Sequence, residues 1–423
     1  MSSDPSDPAN QNGLTVRSSA GVTLLQGGHS QALSEIIYRS LVHIQTSKAL
    51  GMRHWIGEHE LYGPDYRLVC AWAEELGLTT EDVMWRLLID PNDTQYDRTK
   101  IDNGRFKSLF VEEKDLQISG LPSIVGLEIE KLSLLRGKLA HLNLSVVPHL
   151  TKLWCGSNQL TELDLSPVVN LRNLNCWDNL LTYIDLTPVP NLTKLTCSKN
   201  RLSKVDLSAV PNLTELWCWE NQIPELDLTR VPKLTILSCG PNQLTSLDLS
   251  SVPNLTELWC WENQIPELDL SRVPKLTRLS CGSNQLTCLD LSSVPNLTEL
   301  LCKDNQITEL DLSAVPNLTE LSCSKNKLSK VDLTAVPNLT ELWCWENQIP
   351  ELDLTAVPNL LGLWCSNNLL TELDLSIVPS LNKLYCKNNQ LTELDVRHLK
   401  SLELLEFDSD KTNLIQRPNQ NFK

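Results

Sequence analysis

No apolar run in this sequence approaches the ~20 residues that span a bilayer. An excess of positive charge is missing too: 36 Lys and Arg stand against 52 Asp and Glu, for a net charge of −16. Nucleic acid and anionic membrane both demand a cationic footprint, so neither is expected as the main partner. The usual signatures of chemistry are also lacking. The seven histidines are scattered, with none in a metal-ligand spacing. There is no Gly-x-Ser-x-Gly, no phosphate-binding loop, no HExxH and no CxxC. The many carboxylates recur in columns and form no isolated pair with split environments. No enzyme activity, cofactor or metal is therefore expected. The N-terminal stretch MSSDPSDPANQNGLTVRSS has no basic region followed by an apolar block, so no secretory leader is expected either.

What the chain has instead is one repeat. Cys218, Cys239 and Cys260 are evenly spaced, and Asn221, Asn242 and Asn263 keep the same step, as do Asp227, Asp248 and Asp269. That 21-residue phase runs without insertion or deletion from Leu150 to about Lys400, and a fixed short period means a solenoid. Twelve of the fourteen cysteines form one column. A disulfide framework would not place one thiol at the same phase of every coil, so buried free thiols in a reducing, cytoplasmic compartment are expected.

Each coil has two similar halves. Leu150-x-x-Leu153-x-Cys155-x-x-Asn158 is followed by Leu160-x-x-Leu163-x-Leu165-x-x-Val168. Leu-x-Cys and Leu-x-Leu have period two, which predicts two short parallel strands per coil and two long parallel sheets. Val210-Pro211-Asn212-Leu213 makes the corner, with Pro presetting the first turn position.

The pattern LxxLxCxxNxLxxLDLSxxPN resembles the leucine-rich repeats, in the nested bacterial form with a doubled 10-plus-11 unit called IRREKO-type. The resemblance covers about 130–407. It implies an α/β-type leucine-rich repeat solenoid, mostly β, acting as a non-enzymatic interaction scaffold. It also implies that the Asn column, Asn158 through Asn389, bonds backbone groups in the turns between coils. The Asp column, Asp164 through Asp395, lies between inward leucines and is expected to bond locally to the residue two positions on.

The rest of the chain divides around the repeat. Residues 1–30 read as a disordered or extended arm. Residues 31–93 read as a small helical domain, with helices over about 31–48, from Pro64 to Gly77, and after Thr79 or Thr80. Trp72 and Trp85 are expected in its core. Residues 94–128 read as an N-terminal cap, with a strand at Phe106, Leu109, Phe110 and Val111. The solenoid occupies 129–400, beginning with an atypical coil, and 401–423 form the C-terminal cap and tail, where Asp410 falls in the Asn column.

The binding candidates lie on the first sheet. Trp217 and Trp219 flank inward Cys218 and so point outward. The same WCWEN recurs with Trp259 and Trp261, and with Trp343 and Trp345. Trp154, Trp177, Trp364 and Tyr385 share that face, and Glu220, Glu262 and Glu346 rim it. In leucine-rich repeats this face is the one that usually binds partners. Trp is the residue type most enriched in binding hot spots, so the face is expected to bind another protein, basic by charge complementarity. WCWEN coils alternate with SCGPN and SCGSN coils. Small rows between Trp rows would leave grooves about 9.6 Å across. Carbohydrate binding in those grooves is the alternative expectation.

Overall fold

The computed structural model describes residues 15–18, 21–24, 52–88, 99–112, 118–418 and 420–422, with side chains from residue 52 onward. The helix expected over 31–48 lies outside the described residues. Within the stretch read as an arm, β1 (Thr15–Ser18) and β2 (Gly21–Leu24) pair as an antiparallel hairpin.

A second hairpin, β3 (Arg53–Ile56) with β4 (His59–Tyr62), precedes the first described helix. Its turn contains Gly57 at φ 58°, a conformation that costs glycine little. Helix α1 (Gly63–Leu76) starts with Pro64 in its first turn and ends at Gly77, which is left-handed at φ 64° and returns its amide to Ala73 and Glu74 carbonyls. Helix α2 (Thr80–Leu88) is entered through a reciprocal cap. The Thr79 Oγ1 accepts from the Asp82 amide at 3.1 Å, while the Thr79 amide donates to Asp82 Oδ2 at 3.3 Å. Leu68, Val69, Trp72, Val83 and Leu87 pack into the core from these helices. Trp85 does not: it is 64% exposed, because Val83, Met84 and Leu87 take the inward stripe of so short a helix.

The helices are tied to the solenoid through Asp65, which is fully buried. Its Oδ2 accepts from Arg105 Nε at 2.7 Å and its Oδ1 from the Phe106 amide at 2.9 Å. Burial pushes this carboxyl up, and the Phe106 amide and Arg105 guanidinium oppose that. Both acceptors of α1 therefore land on one strand, β6 (Arg105–Glu112), whose antiparallel neighbour is β5 (Lys100–Asp102).

Strand β6 also pairs in parallel with β7 (Lys131–Leu135) and so opens the main sheet of 16 strands. Twelve three-residue strands follow, from β8 (Lys152–Trp154) to β19 (Lys383–Tyr385), each 21 residues after the last. Their register is strict: Leu195 pairs with Leu216, Leu216 with Leu237, and so on. Inside, the leucines, the column cysteines and the corner valines form one continuous buried core. Two successive tight turns make each corner, as in Val210 N to Leu207 O and Leu213 N to Val210 O, both 3.1 Å.

The second sheet expected from Leu-Asp-Leu does not run along the solenoid. Side chains there alternate as predicted, with Leu163 and Leu165 buried and Asp164 exposed. The backbone pairs only at the end, where β20 (Glu393–Asp395) meets β22 (Asn413–Ile415) beyond β21 (Leu404–Glu406). In that half each Asp carboxylate takes the amide two residues on, as Asp164 Oδ1 takes Ser166 N at 2.9 Å, and Asp395 within β20 does the same with Arg397 N at 3.0 Å. The C-terminal cap holds a second departure. Asp408, not Asp410, is buried, and its Oδ2 accepts from the Asn389 amide at 3.3 Å.

Candidate functional site

The face of the main sheet is held in shape by the column behind it. Asn263 is buried and donates its Nδ2 to the carbonyls of Cys239, Gly240 and Cys260 at 3.0, 3.2 and 3.1 Å. Its Oδ1 accepts from the Leu244 amide at 3.0 Å. One side chain thus satisfies backbone groups of two coils that would otherwise be buried without partners. Asn158, Asn179 and Asn305 repeat the arrangement.

All fourteen cysteines are free, and the twelve of the column are buried. Burial pushes these thiols up, to about 12 at Cys176, Cys260, Cys302 and Cys344. They behave as small apolar residues, not nucleophiles. On the opposite side the Asp carboxyls are held below the usual range by the hydroxyl and amide two residues on, as at Asp164 and Asp248. Asp332, with Lys330 added, reaches about 2. Among the described residues no group of three or more His, Cys, Asp or Glu could hold a metal ion, and no helix is long and apolar enough to cross a membrane.

The structure places all the sequence-predicted aromatic candidates on the one sheet face. Trp154, Trp217, Trp259, Trp343, Trp364 and Tyr385 end their strands and are half-buried. Trp177, Trp219, Trp261 and Trp345 follow two residues later and are half-buried as well. Glu220, Glu262 and Glu346 are exposed beside them. At the C-terminal end the rings stack: Trp343 on Trp364 at 4.8 Å between centroids, and Trp364 on Tyr385 at 5.7 Å. Lys199 Nζ stands 5.3 Å from the Trp219 ring, and Lys303 and Lys325 stand 5.1 and 5.2 Å from Trp345.

The grooves expected over the small rows are filled. A Cβ on Gly156 would lie 2.3 Å from Trp177 Cδ1, and one on Gly240 would lie 2.8 Å from Trp261 Nε1. Each ring therefore leans over the small residue of the preceding coil. Ser238, in the same small row as Gly240, is only 4% exposed. The alternation of large and small residues tiles the face instead of trenching it.

A row that sequence reasoning passed over runs beside the aromatics. Glu299, Glu320 and Glu341 pair in register on adjacent strands. Upstream, Arg278 lies in the same row between Glu257 (3.7 Å) and Glu299 (3.5 Å), and Lys194 pairs with Glu215 at 2.6 Å. Burial and the Glu320 charge hold the Glu299 carboxyl above the usual range; burial does the same for Glu341. The signal was legible as Glu-Leu-Trp and Glu-Leu-Ser at a fixed phase.

The comparisons with known proteins point one way. A family model described as Leucine Rich repeats (2 copies) matches residues 190–230, 295–335 and 316–356. Among solved structures, the functional domain of InlJ from Listeria monocytogenes is 36% identical with a TM-score of 0.64. The match covers 73% of this chain and 68% of that one. The chain belongs to the leucine-rich repeat family. That relative is described as including a cysteine ladder, the feature formed here by the buried thiols. A leucine-rich repeat protein of Leptospira interrogans shares the fold at 24% identity and a TM-score of 0.65, covering 73% of this chain and 91% of that one. YopM, a leucine-rich effector of Yersinia pestis, does so at 24% identity and 0.60, covering 84% and 98%. A search of curated proteins found no match. The repeat is of bacterial type, and leucine-rich repeat solenoids serve generally as protein-interaction scaffolds.

Proposed function

We propose that this leucine-rich repeat protein is a non-enzymatic scaffold that binds another protein through the Trp-bearing face of its main sheet. The observation that carries the reading is the run of half-buried Trp side chains along one face, from Trp154 to Trp364. Large exposed apolar surface on a soluble protein usually marks an interaction site, and Trp supplies much of the energy in such sites. The exposed Glu262 carboxylate beside the Trp261 ring, together with the net charge of −16, favours a basic partner; Glu220 and Glu346 already face Lys199 and Lys325 at 4.0 Å. The unbridged thiols support a reducing, cytoplasmic setting.

The test compares the intact protein with a variant carrying Ser at Trp217, Trp219, Trp259, Trp261, Trp343 and Trp345. Circular dichroism establishes that both are folded before each is used to capture partners from lysate. A protein retained by the intact form, lost by the variant and released by salt is the expected result. Equal retention by both sinks the reading. Release by free sugar, without a response to salt, would replace it with glycan binding.

A further inference from the structure

The face carries a two-coil period that the Cys, Asn and Asp columns lack. Directly after the column Cys stand Trp177, Trp219, Trp261 and Trp345, and the alternate coils carry the small residues Gly156, Ser198, Gly240, Gly282 and Ser324 at that position. The next position repeats the alternation in charge: Asp178, Glu220, Glu262, Asp304 and Glu346 are acidic, and the intervening Ser157, Lys199, Pro241, Ser283 and Lys325 are not. The coils of Cys176, Cys218, Cys260 and Cys344 therefore each present a rung made of a ring and an exposed carboxylate. Asp304 stands beside Lys303 instead of a Trp, which ends the unbroken run at three rungs: 177/178, 219/220 and 261/262.

The chain itself shows what such a rung holds. Lys199 lies 5.3 Å from the Trp219 ring and 4.0 Å from Glu220 Oε2. Lys325 does the same at Trp345 and Glu346, at 5.2 and 4.0 Å. Ring face and carboxylate together seat an ammonium group. At Trp261 with Glu262 and at Trp177 with Asp178 the preceding coil offers Pro241 and Ser157, and among the described residues no lysine or arginine stands over either ring. Ser157 Oγ bonds Asp178 at 2.8 Å, a neutral contact that leaves the charge unmatched.

Resting on the binding reading above, we infer that the two open seats take two basic residues, six apart, of a partner segment in the polyproline-II conformation. Spacing decides the conformation. Four coils separate the open seats, roughly 19 Å at the usual distance between strands. Six polyproline-II residues rise about 18.6 Å and complete two turns, so both basic side chains face the sheet. Three residues rise about 9.3 Å and bring the middle turn onto Trp219, two coils or roughly 9.6 Å along. A β-strand covers the full span in about six residues but turns its third residue away from the middle rung. An α-helix rises about 1.5 Å per residue; thirteen residues cover the span, and at 3.6 per turn the thirteenth faces away from the sheet. Proline-rich segments are held by aromatic surfaces without a large ordering cost, which suits rings that are already tiled in place.

The probe is the heptapeptide Arg-Pro-Pro-Pro-Pro-Pro-Arg, titrated calorimetrically into the full chain at low salt. It is expected to bind, and to bind at least tenfold more tightly than the peptide with four prolines between the arginines. Replacing the five prolines with glycine is expected to cost a similar factor. Glu262→Gln, which keeps the ring and the fold, should weaken the heptapeptide at least fivefold. No binding, or equal affinity for the two proline spacings, overturns the inference. If the lysate partner is still lost on removing the Trp side chains while the heptapeptide fails, the face binds a partner of another conformation. If both fail, the binding reading falls with it.

Discussion

The two halves of each coil start from nearly the same sequence and end as different structures. In the first half Leu-x-Cys forms a strand, with its amides in ladders and its turn sealed by a buried Asn. In the second half Leu-Asp-Leu buries the same two side chains, yet forms no ladder until β20. The two halves also differ in which polar side chain claims the backbone. Asn263 bridges two coils, whereas Asp248 bonds Ser250 in its own coil at 2.8 Å. The Asn side chains link coils along the first half; along the second half the coils are joined by the apolar core and by one backbone bond where that half begins, as in Gln222 N to Leu202 O at 2.9 Å.

Substitutions that exploit this contrast should rank accordingly. Asn263→Ala leaves several buried backbone groups of two coils without partners and should cost about 3 kcal/mol in urea denaturation. Asp248→Ala should change the midpoint little, since its bond is exposed and local. If the two were equal, the contrast would be wrong. Cys260→Ser places a hydroxyl in the apolar column and should cost about 2 kcal/mol, while Cys260→Ala should cost roughly half that. Gly240→Ala meets the Trp261 ring and should cost about 1 kcal/mol, with a shift in Trp emission as the ring lifts.

The smallest effect is in pH. Glu299 and Glu341 sit above their usual 4.5 in the folded chain. Their contribution to stability is thus present at low pH and is lost as pH rises through their folded values. The Asp carboxyls, held below 3.8, work in the opposite sense. Their contribution is present above that value and is lost as pH falls toward about 2, the level reached by Asp332 and Asp395. Thermal melts should therefore show a shallow rise in stability as pH drops toward 4.5 and a fall below about 3.8.

The repeat made the solenoid legible, because Leu, Cys, Asn and Asp each recur at one phase and each phase has one environment. Helix α1 was legible from Pro64 and Gly77, its chemical start and stop. The hairpin at 53–62 was not, since its only signal is Gly57-Glu58 in a short charged stretch. Trp85 was misplaced because a nine-residue helix buries too narrow a stripe for every large side chain. On the face, the columns fixed which side chains point outward. They did not fix how far a ring leans: Trp261 covers Gly240 because that coil offers no Cβ, a relation between coils that no single coil records. The row of Glu299, Glu320 and Glu341 was visible in the repeat but was overshadowed by the aromatics.

The central claim is that the tiled Trp face, and not the Asp half of the coils, is where a partner sits. Carbene footprinting of the purified complex against the free protein tests it most directly, because it reads both halves of every coil at once. The account predicts protection at Trp177, Trp219, Glu220, Trp261 and Glu262, with the Asp206, Asp227 and Asp248 coil halves unchanged. Protection confined to the Asp halves or to the helices at 63–88, with the Trp labelling unaltered, would contradict it.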